Sequence, residues 1–104
     1  MPDSAQPPAK IYLRALLLRD LSDVETVKHE VSAGNVLILR ISALAERSVE
    51  DVKRAVDDLC HFTELIGGDI ARLGEERVVI TPSSIRIWRG ENILQEGGTP
   101  TEAG

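Results

Sequence analysis

Ser48 to Arg89 read SVEDVKRAVDDLCHFTELIGGDIARLGEERVVITPSSIRIWR, and this stretch decides the fold. Its first part begins with a serine and has two acidic residues in the first turn, and it repeats valine, leucine or isoleucine at three- and four-residue spacing. This pattern is typical of a capped amphipathic helix. Gly67-Gly68 ends that helix, because glycine adopts the left-handed conformation that follows a helix at little cost. Three short apolar segments follow at 69–73, 77–81 and 85–89, so the stretch predicts one helix and then three strands joined by short turns.

The first half of the chain predicts a strand, a helix and a second strand. Residues 11–18 are apolar, Ser22-Asp23-Val24-Glu25 has the pattern of a capping box, and Gly34 provides a helix stop before the apolar residues 35–41. The whole order is therefore β-α-β-α-β-β-β. We expect a flexible N-terminal segment at 1–10, a core domain at 11–89 and a flexible C-terminal tail at 90–104.

Both faces of the first two strands are apolar, a pattern typical of sheets that are covered on both sides. Only two helices are predicted, and right-handed crossovers would place both on one face. We therefore expect a two-layer α/β sandwich with a five-stranded mixed sheet, which dimerises through its uncovered face. Leu16 and Leu18 are candidates for that face. Arg86 and Trp88 share one face of the last strand, which is compatible with a small arginine/aromatic recognition surface, but we expect Trp88 to pack against the second copy.

Composition restricts the class of protein. The chain has 104 residues, 42% of them hydrophobic, which is enough for one domain with a modest core. Twelve basic and 17 acidic residues give a net charge of −5, which disfavours DNA or RNA as the partner. A single cysteine, Cys60, excludes an intrachain disulfide and fits a reducing compartment. The apolar runs are much shorter than the roughly 18 residues of a spanning helix, so we expect a cytoplasmic protein without direct membrane insertion.

No catalytic or cofactor chemistry is indicated. His29, Cys60 and His61 are the only soft metal ligands, and adjacent residues on a helix point about 100° apart, so no metal site is predicted. Gly67-Gly68 follows a helix and precedes a strand, the reverse of the order in phosphate-binding loops. We therefore predict that the chain is not an enzyme and has no cofactor.

Four motifs together resemble one family. They are Gly34-Asn35-Val36-Leu37-Ile38-Leu39, Asp51-Val52-Lys53-Arg54-Ala55-Val56-Asp57, Gly67-Gly68-Asp69-Ile70 and Val79-Ile80-Thr81-Pro82. In this order over residues 12–89 they resemble the SepF cell-division family, particularly its archaeal branch. The resemblance implies a dimeric α/β sandwich that binds the C-terminal tail of the tubulin-like protein FtsZ and tethers its filaments to the membrane.

The resemblance also suggests site residues. Tail binding in the family is associated with the helix that begins here at Ser48, so Lys53 and Arg54 are the first candidates. Three neighbouring charged residues complete the expected partner-binding surface: Glu50, Asp57 and Asp58. The place of Gly67 and Gly68 in the family suggests a turn near an assembly surface.

Alternatives to this adaptor function remain open. The mixed charges of the helix are also typical of a face that contacts only solvent. A small regulatory or ligand-sensing α/β dimer unrelated to FtsZ would need a pocket with convergent polar groups. A nucleic-acid-binding module would need a contiguous basic surface, whereas the C-terminal arginines are diluted by acidic residues.

Overall fold

A computed structural model describes residues 10–90 of the chain. Residues 1–9 and 91–104, which make up most of the two segments expected to be flexible, lie outside the described residues. The described part contains four strands and three helices: β1 Leu13–Leu17, α1 Asp23–Ser32, β2 Val36–Arg40, α2 Ser42–Arg47, α3 Val49–Ile66, β3 Asp69–Leu73 and β4 Arg77–Thr81.

The four strands form one mixed sheet in the order β1-β2-β4-β3. Strand β1 runs parallel to β2, as a β-α-β unit requires, while β4 is antiparallel to both of its neighbours. The mixed α/β architecture expected from the sequence is thus confirmed. The hairpin of β3 and β4 joins the sheet through β4, which pairs with β2.

The helices bury one face of the sheet in a single hydrophobic core. Alternate strand residues such as Leu37, Leu39, Val78 and Ile80 are fully buried there. The helices contribute apolar residues at three- and four-residue spacing: Val24, Val27 and Val31 from α1, Leu44 from α2, and Val52, Ala55 and Leu59 from α3. No helix within residues 10–90 covers the other face of the sheet, so the described domain has two layers.

The prediction that Leu16 and Leu18 lie on the uncovered face is wrong. Leu18 is only 1% exposed within the core, and Leu16 packs against that core. The uncovered face carries the alternate residues of β1, Leu13, Ala15 and Leu17. Both sets are apolar, so the alternation indicates two buried faces without indicating which one meets the helices.

A third helix, α2, was not predicted. Its six residues include alanine, leucine, glutamate and arginine, all good helix formers, and Leu44 anchors it in the core. Ser48 separates α2 from α3, because its extended backbone (φ −163°, ψ 110°) breaks the helical path. Its N–H donates to the Leu44 carbonyl at 2.8 Å, which closes the last turn of α2.

The predicted fifth strand, 85–89, is not formed. The Ile87 N–H donates to the Asp69 carboxylate at 2.9 Å instead of to a neighbouring strand. The Arg89 guanidinium binds the same carboxylate at 3.1 and 3.2 Å and also the Ile70 carbonyl at 2.8 Å. Side-chain contacts thus hold this extended segment beside β3, with the Trp88 side chain 81% exposed.

The start of α1 also differs from its prediction. Ser22 makes no capping hydrogen bond; the Asp23 carboxylate accepts the N–H groups of Arg19 and Asp20 instead. An acidic residue in the first helical turn therefore binds the preceding loop, and Ser22 does not bind the first-turn N–H groups that the capping-box pattern assigned to it.

Candidate functional site

Helix α3 presents a charged face to solvent because its other face is fixed in the core. The Ser48 hydroxyl accepts the Asp51 N–H at 3.1 Å, so the predicted cap is confirmed and sets where the helix begins. With the apolar face buried, Glu50, Lys53, Arg54 and Asp57 are all exposed. The structure thus brings four of the five predicted partner-binding residues together on two adjacent turns.

Lys53 and Arg54 are the two cations of this surface. Neither forms an ion pair with another residue in the range 10–90. Val49, which the sequence analysis did not single out, lies one helical turn before Lys53 and is 62% exposed. Residues four apart on a helix are surface neighbours, so α3 offers an apolar contact beside the cations. Val49 precedes the buried Val52 by three residues and so fits the spacing of the apolar face, and only the tertiary structure shows that it is exposed.

Asp58 differs from the other four residues because it forms an ion pair with another described residue. Its carboxylate lies 2.9 Å from the Lys28 ammonium of α1, which also approaches Glu25 at 3.5 Å and the Phe62 ring at 5.9 Å. The hydrogen bond from Lys28 to Asp58 raises the pKa of the lysine. Asp58 therefore joins α1 to α3.

The two glycines after α3 have different conformational roles. Gly67 has φ 74°, which confirms that a left-handed glycine ends the helix. Gly68 does not have a positive φ, but a Cβ atom there would lie 2.2 Å from the Thr81 carbonyl oxygen. The chain thus needs one glycine for its backbone angle and the other for close contact between β3 and β4. An assembly role for this turn stays a prediction.

Asp69 anchors the segment that follows β4. The ion pair with Arg89 is the main reason why the pKa of Asp69 lies below its usual range, and the N–H groups of Ile87 and Ile70 act in the same direction. The carboxylate is therefore charged at neutral pH. It binds Ile87 and Arg89, the residues on either side of the exposed Trp88.

The helix-free face of the sheet is a second surface available for contacts. Leu13 is 67% exposed there, and Leu17 and Leu73 are also exposed. Ile38 and Val79, paired across β2 and β4, are half-buried at its centre. Contiguous apolar surface of this kind commonly marks an interaction site.

The structure also describes the surroundings of Cys60 and of the possible metal ligands. No group of three or more His, Cys, Asp or Glu side chains within residues 10–90 could hold a metal ion. Partial desolvation, with Asp57 and Glu64 nearby, raises the pKa of the Cys60 thiol, so the reactive thiolate is disfavoured. No helix in this part of the chain is long and apolar enough to cross a membrane.

These features define a small α/β domain with one sheet face covered by helices, one face without a helix among residues 10–90, and a charged, exposed helix surface. The sequence profile described as "Cell division protein SepF" matches residues 15–87, which include every described strand and helix apart from the first two residues of β1. The chain belongs to the SepF family of cell division proteins.

Individual relatives agree with this assignment. A curated cell division protein SepF from Haloferax volcanii is 30% identical over 87 residues, which cover 84% of this chain and 73% of that protein. A SepF-like protein from Archaeoglobus fulgidus has a similar structure, with TM-score 0.71 and 30% identity over 77% of this chain and 95% of its own. A SepF-like protein from Pyrococcus furiosus has TM-score 0.72 and 27% identity over 80% of this chain and 100% of its own.

Proposed function

We propose that this SepF-family chain is a non-enzymatic adaptor that acts in the cytoplasm during cell division. In this proposal a homodimer binds the C-terminal tail of FtsZ and helps to tether or organise the division ring at the membrane. Family membership supports the division role. The observation that carries the tail-binding proposal is the exposed Lys53–Arg54 pair, which has no ion-pair partner among residues 10–90.

The α3 surface fits a peptide that combines acidic and apolar side chains. Lys53 and Arg54 would bind its carboxylates through charge-assisted hydrogen bonds, which are stronger than those between neutral groups. Val49 and the aliphatic parts of the two cations would cover its apolar side chains. Glu50 and Asp57 lie beside this pair. They would repel a peptide whose acidic residues come close to them instead of to Lys53 and Arg54.

Calorimetry with the FtsZ tail peptide from the same organism tests this site. We expect the Lys53→Glu/Arg54→Glu variant to bind at least about tenfold more weakly than wild type, since two charge-assisted contacts become repulsive. Its melting temperature should change little, because exposed charges contribute only about 0–1 kcal/mol to folding. The matched control is Arg19→Glu/Arg86→Glu, which makes the same change of net charge at exposed positions outside α3.

The control separates a local site from a general charge effect. Equal losses in both double variants would show that net charge governs binding, and equal affinities of wild type and the α3 variant would exclude α3 as the site. Absence of binding by every form would contradict the FtsZ part of the proposal.

The homodimer is proposed to form through the helix-free sheet face. Burying its leucine, isoleucine and valine side chains would remove apolar surface from water, which contributes about 25 cal/mol per Å². Each protomer would carry one α3 surface. A dimer could then hold two tails of one filament and gain avidity from individually weak contacts.

Light scattering tests the dimer, and wild type should have about twice the 11.4 kDa chain mass. Leu13→Glu would place a charge in the proposed interface and should yield monomers. The matched control is Leu65→Glu on α3, since Leu65 is 73% exposed and Leu13 is 67% exposed. A stable wild-type monomer at micromolar concentration would contradict the dimer, and dissociation by Leu65→Glu alone would move the interface to the helices.

A further inference from the structure

Two side chains lie between strand β3 and the extended segment 85–89. The Asp69 carboxylate accepts the N–H group of Ile70 at 3.0 Å and that of Ile87 at 2.9 Å. The Arg89 guanidinium donates to the carbonyl oxygens of the same two residues, at 2.8 Å for Ile70 and at 3.2 Å for Ile87. One ion pair therefore occupies the backbone N–H and C=O groups of both Ile70 and Ile87, where a strand pair would have backbone–backbone hydrogen bonds.

The backbone groups of Ile70 point to the outer edge of the sheet. Strand β3 is last in the strand order, so within residues 10–90 no strand pairs with this edge. The Ile41 N–H donates to the Glu76 carbonyl, so alternation directs the even-numbered residues of β4 toward β2 and the odd-numbered residues toward β3. Ile70 and Arg72 are opposite even-numbered residues of β4, so their N–H and C=O groups point outward.

The outer edge of β3 is complementary to itself. When two copies of β3 pair antiparallel about Ala71, Ile70 of each copy lies opposite Arg72 of the other. Asp69 then lies opposite Leu73, so this register opposes no like charges, which would disfavour pairing. Among residues 69–73, its hydrogen bonds all join the outward groups of Ile70 to those of Arg72. Occupation of the Ile70 groups within each copy therefore blocks the whole pairing.

We propose that Asp69 and Arg89 form an edge guard, which prevents β3 from pairing with β3 of a second copy. An exposed strand edge with unpaired N–H and C=O groups is a template for association with another chain, so proteins protect such edges. Arginine suits this role because its planar guanidinium carries several N–H donors in fixed directions. Arg89 thereby binds the Asp69 carboxylate and the two carbonyl groups together.

An edge guard explains why the segment 85–89 lies beside β3 without pairing to it. The isoleucines of this segment alternate with Arg86 and Trp88, as in a strand. A fifth strand there would only move the open edge of the sheet outward, because the new strand would have unpaired groups on its own outer side. Side-chain hydrogen bonds end the sheet instead. The proposal does not depend on FtsZ binding or on the homodimer, because its test compares variants with wild type in whatever assembly wild type forms.

Light scattering over micromolar to millimolar protein concentrations tests the edge guard. The mass of Arg89→Ala should rise with concentration to at least about twice that of wild type, because the freed edge pairs by mass action. The matched control is Arg86→Ala, which removes the same charge from an exposed position in the same segment. Its mass should equal that of wild type. Equal masses of Arg89→Ala and wild type, or an equal rise in both variants, would overturn the proposal.

The substitution Arg72→Pro tests whether this association uses the edge of β3. It removes an outward N–H group and leaves the β3–β4 hydrogen bonds in place, as proline on an edge strand does. The double variant Arg72→Pro/Arg89→Ala should therefore have the mass of wild type at every concentration. Association that persists in the double variant would overturn the proposal, because it would then use another surface.

Amide hydrogen exchange identifies which groups become paired. In Arg89→Ala at high concentration, the Arg72 amide should exchange at least about tenfold more slowly than in wild type, since it gains a hydrogen bond. Protection gained at residues 86–89 without a rise in mass would mean that the segment pairs with β3 of its own copy, and would overturn the proposal. Arg89→Gln retains the aliphatic part of the side chain and should associate in the same way, so it replaces Arg89→Ala if thermal unfolding shows that variant to be unfolded.

Discussion

Replacing Gly68 with alanine tests the close contact on which the β3–β4 hairpin depends. The added Cβ atom would lie 2.2 Å from the Thr81 carbonyl oxygen and 3.3 Å from its carbonyl carbon. Thr81 pairs with Asp69, the residue after Gly68, so both sides of the clash are paired backbone. No flexible side chain can move away to relieve it, and the strands themselves must separate.

The size of the effect follows from comparison with other glycines. Gly34 and Gly74 have positive φ angles of 100° and 71° and nothing within 4 Å of an added Cβ, so alanine there costs only backbone strain, about 1 kcal/mol. Gly68 carries no such strain, but overpacking against fixed backbone costs about 2–4 kcal/mol. That is a large part of a typical unfolding free energy of about 5–15 kcal/mol.

Urea unfolding of the alanine variants at Gly34, Gly67, Gly68 and Gly74 checks this order. All samples need the same protomer concentration, because association would stabilise the folded state by mass action. Gly67→Ala should destabilise the protein about as much as Gly34→Ala and Gly74→Ala do. A Cβ atom added at Gly67 would lie 3.7 Å from its nearest neighbour, the Ser83 Cβ, which is an ordinary contact distance. If Gly68→Ala destabilises the protein no more than Gly74→Ala does, the close-contact argument is wrong.

Three further predictions concern Asp69, Leu18 and Ser48. Arg89 lowers the pKa of Asp69 in the folded protein. The contribution of this ion pair to the free energy of unfolding is therefore complete above the unfolded pKa of about 3.9, and it is lost as the pH falls below that value. Asp69→Asn should therefore cost about 1–2 kcal/mol in urea unfolding at pH 7 and less at pH 3, and an equal cost at both would contradict the ion-pair account. Leu18→Ala should cost about 2–5 kcal/mol by leaving a cavity, and a cost no greater than that of Leu13→Ala would contradict its burial. Ser48→Ala should lower the melting temperature by removing about 1 kcal/mol of helix capping, while Ser48→Asp retains the cap and should not.

Local features of the chain were predictable because their signals are local. The cap at Ser48, the amphipathic spacing of α3 and the stop at Gly67 all depend on residues within a few positions of each other. The charged surface of α3 was predictable for the same reason, since burial of Val52, Ala55 and Leu59 exposes the opposite side. Helix α2 carries a local signal too, but it is short and was overlooked.

Residues 85–89 show what a local sequence pattern cannot decide. Ile85 and Ile87 alternate with Arg86 and Trp88, as in a strand, but the Ile87 N–H bonds to the carboxylate of Asp69, 18 residues earlier. Asp58 is similar, because its partner Lys28 lies on a different helix. In both cases the competing partner is distant in sequence, so no local spacing identifies it.

The sequence by itself determined six of the seven described elements with their approximate bounds, and the presence of apolar residues on both faces of the first two strands. Only the tertiary structure decided that β4 lies between β2 and β3, that Leu18 faces the helices and Leu13 does not, and that Arg40 and Arg77 lie opposite each other. The physical reason is that helix and strand signals arise from neighbouring residues. The choice of face, strand order and register depends on the packing of the whole core.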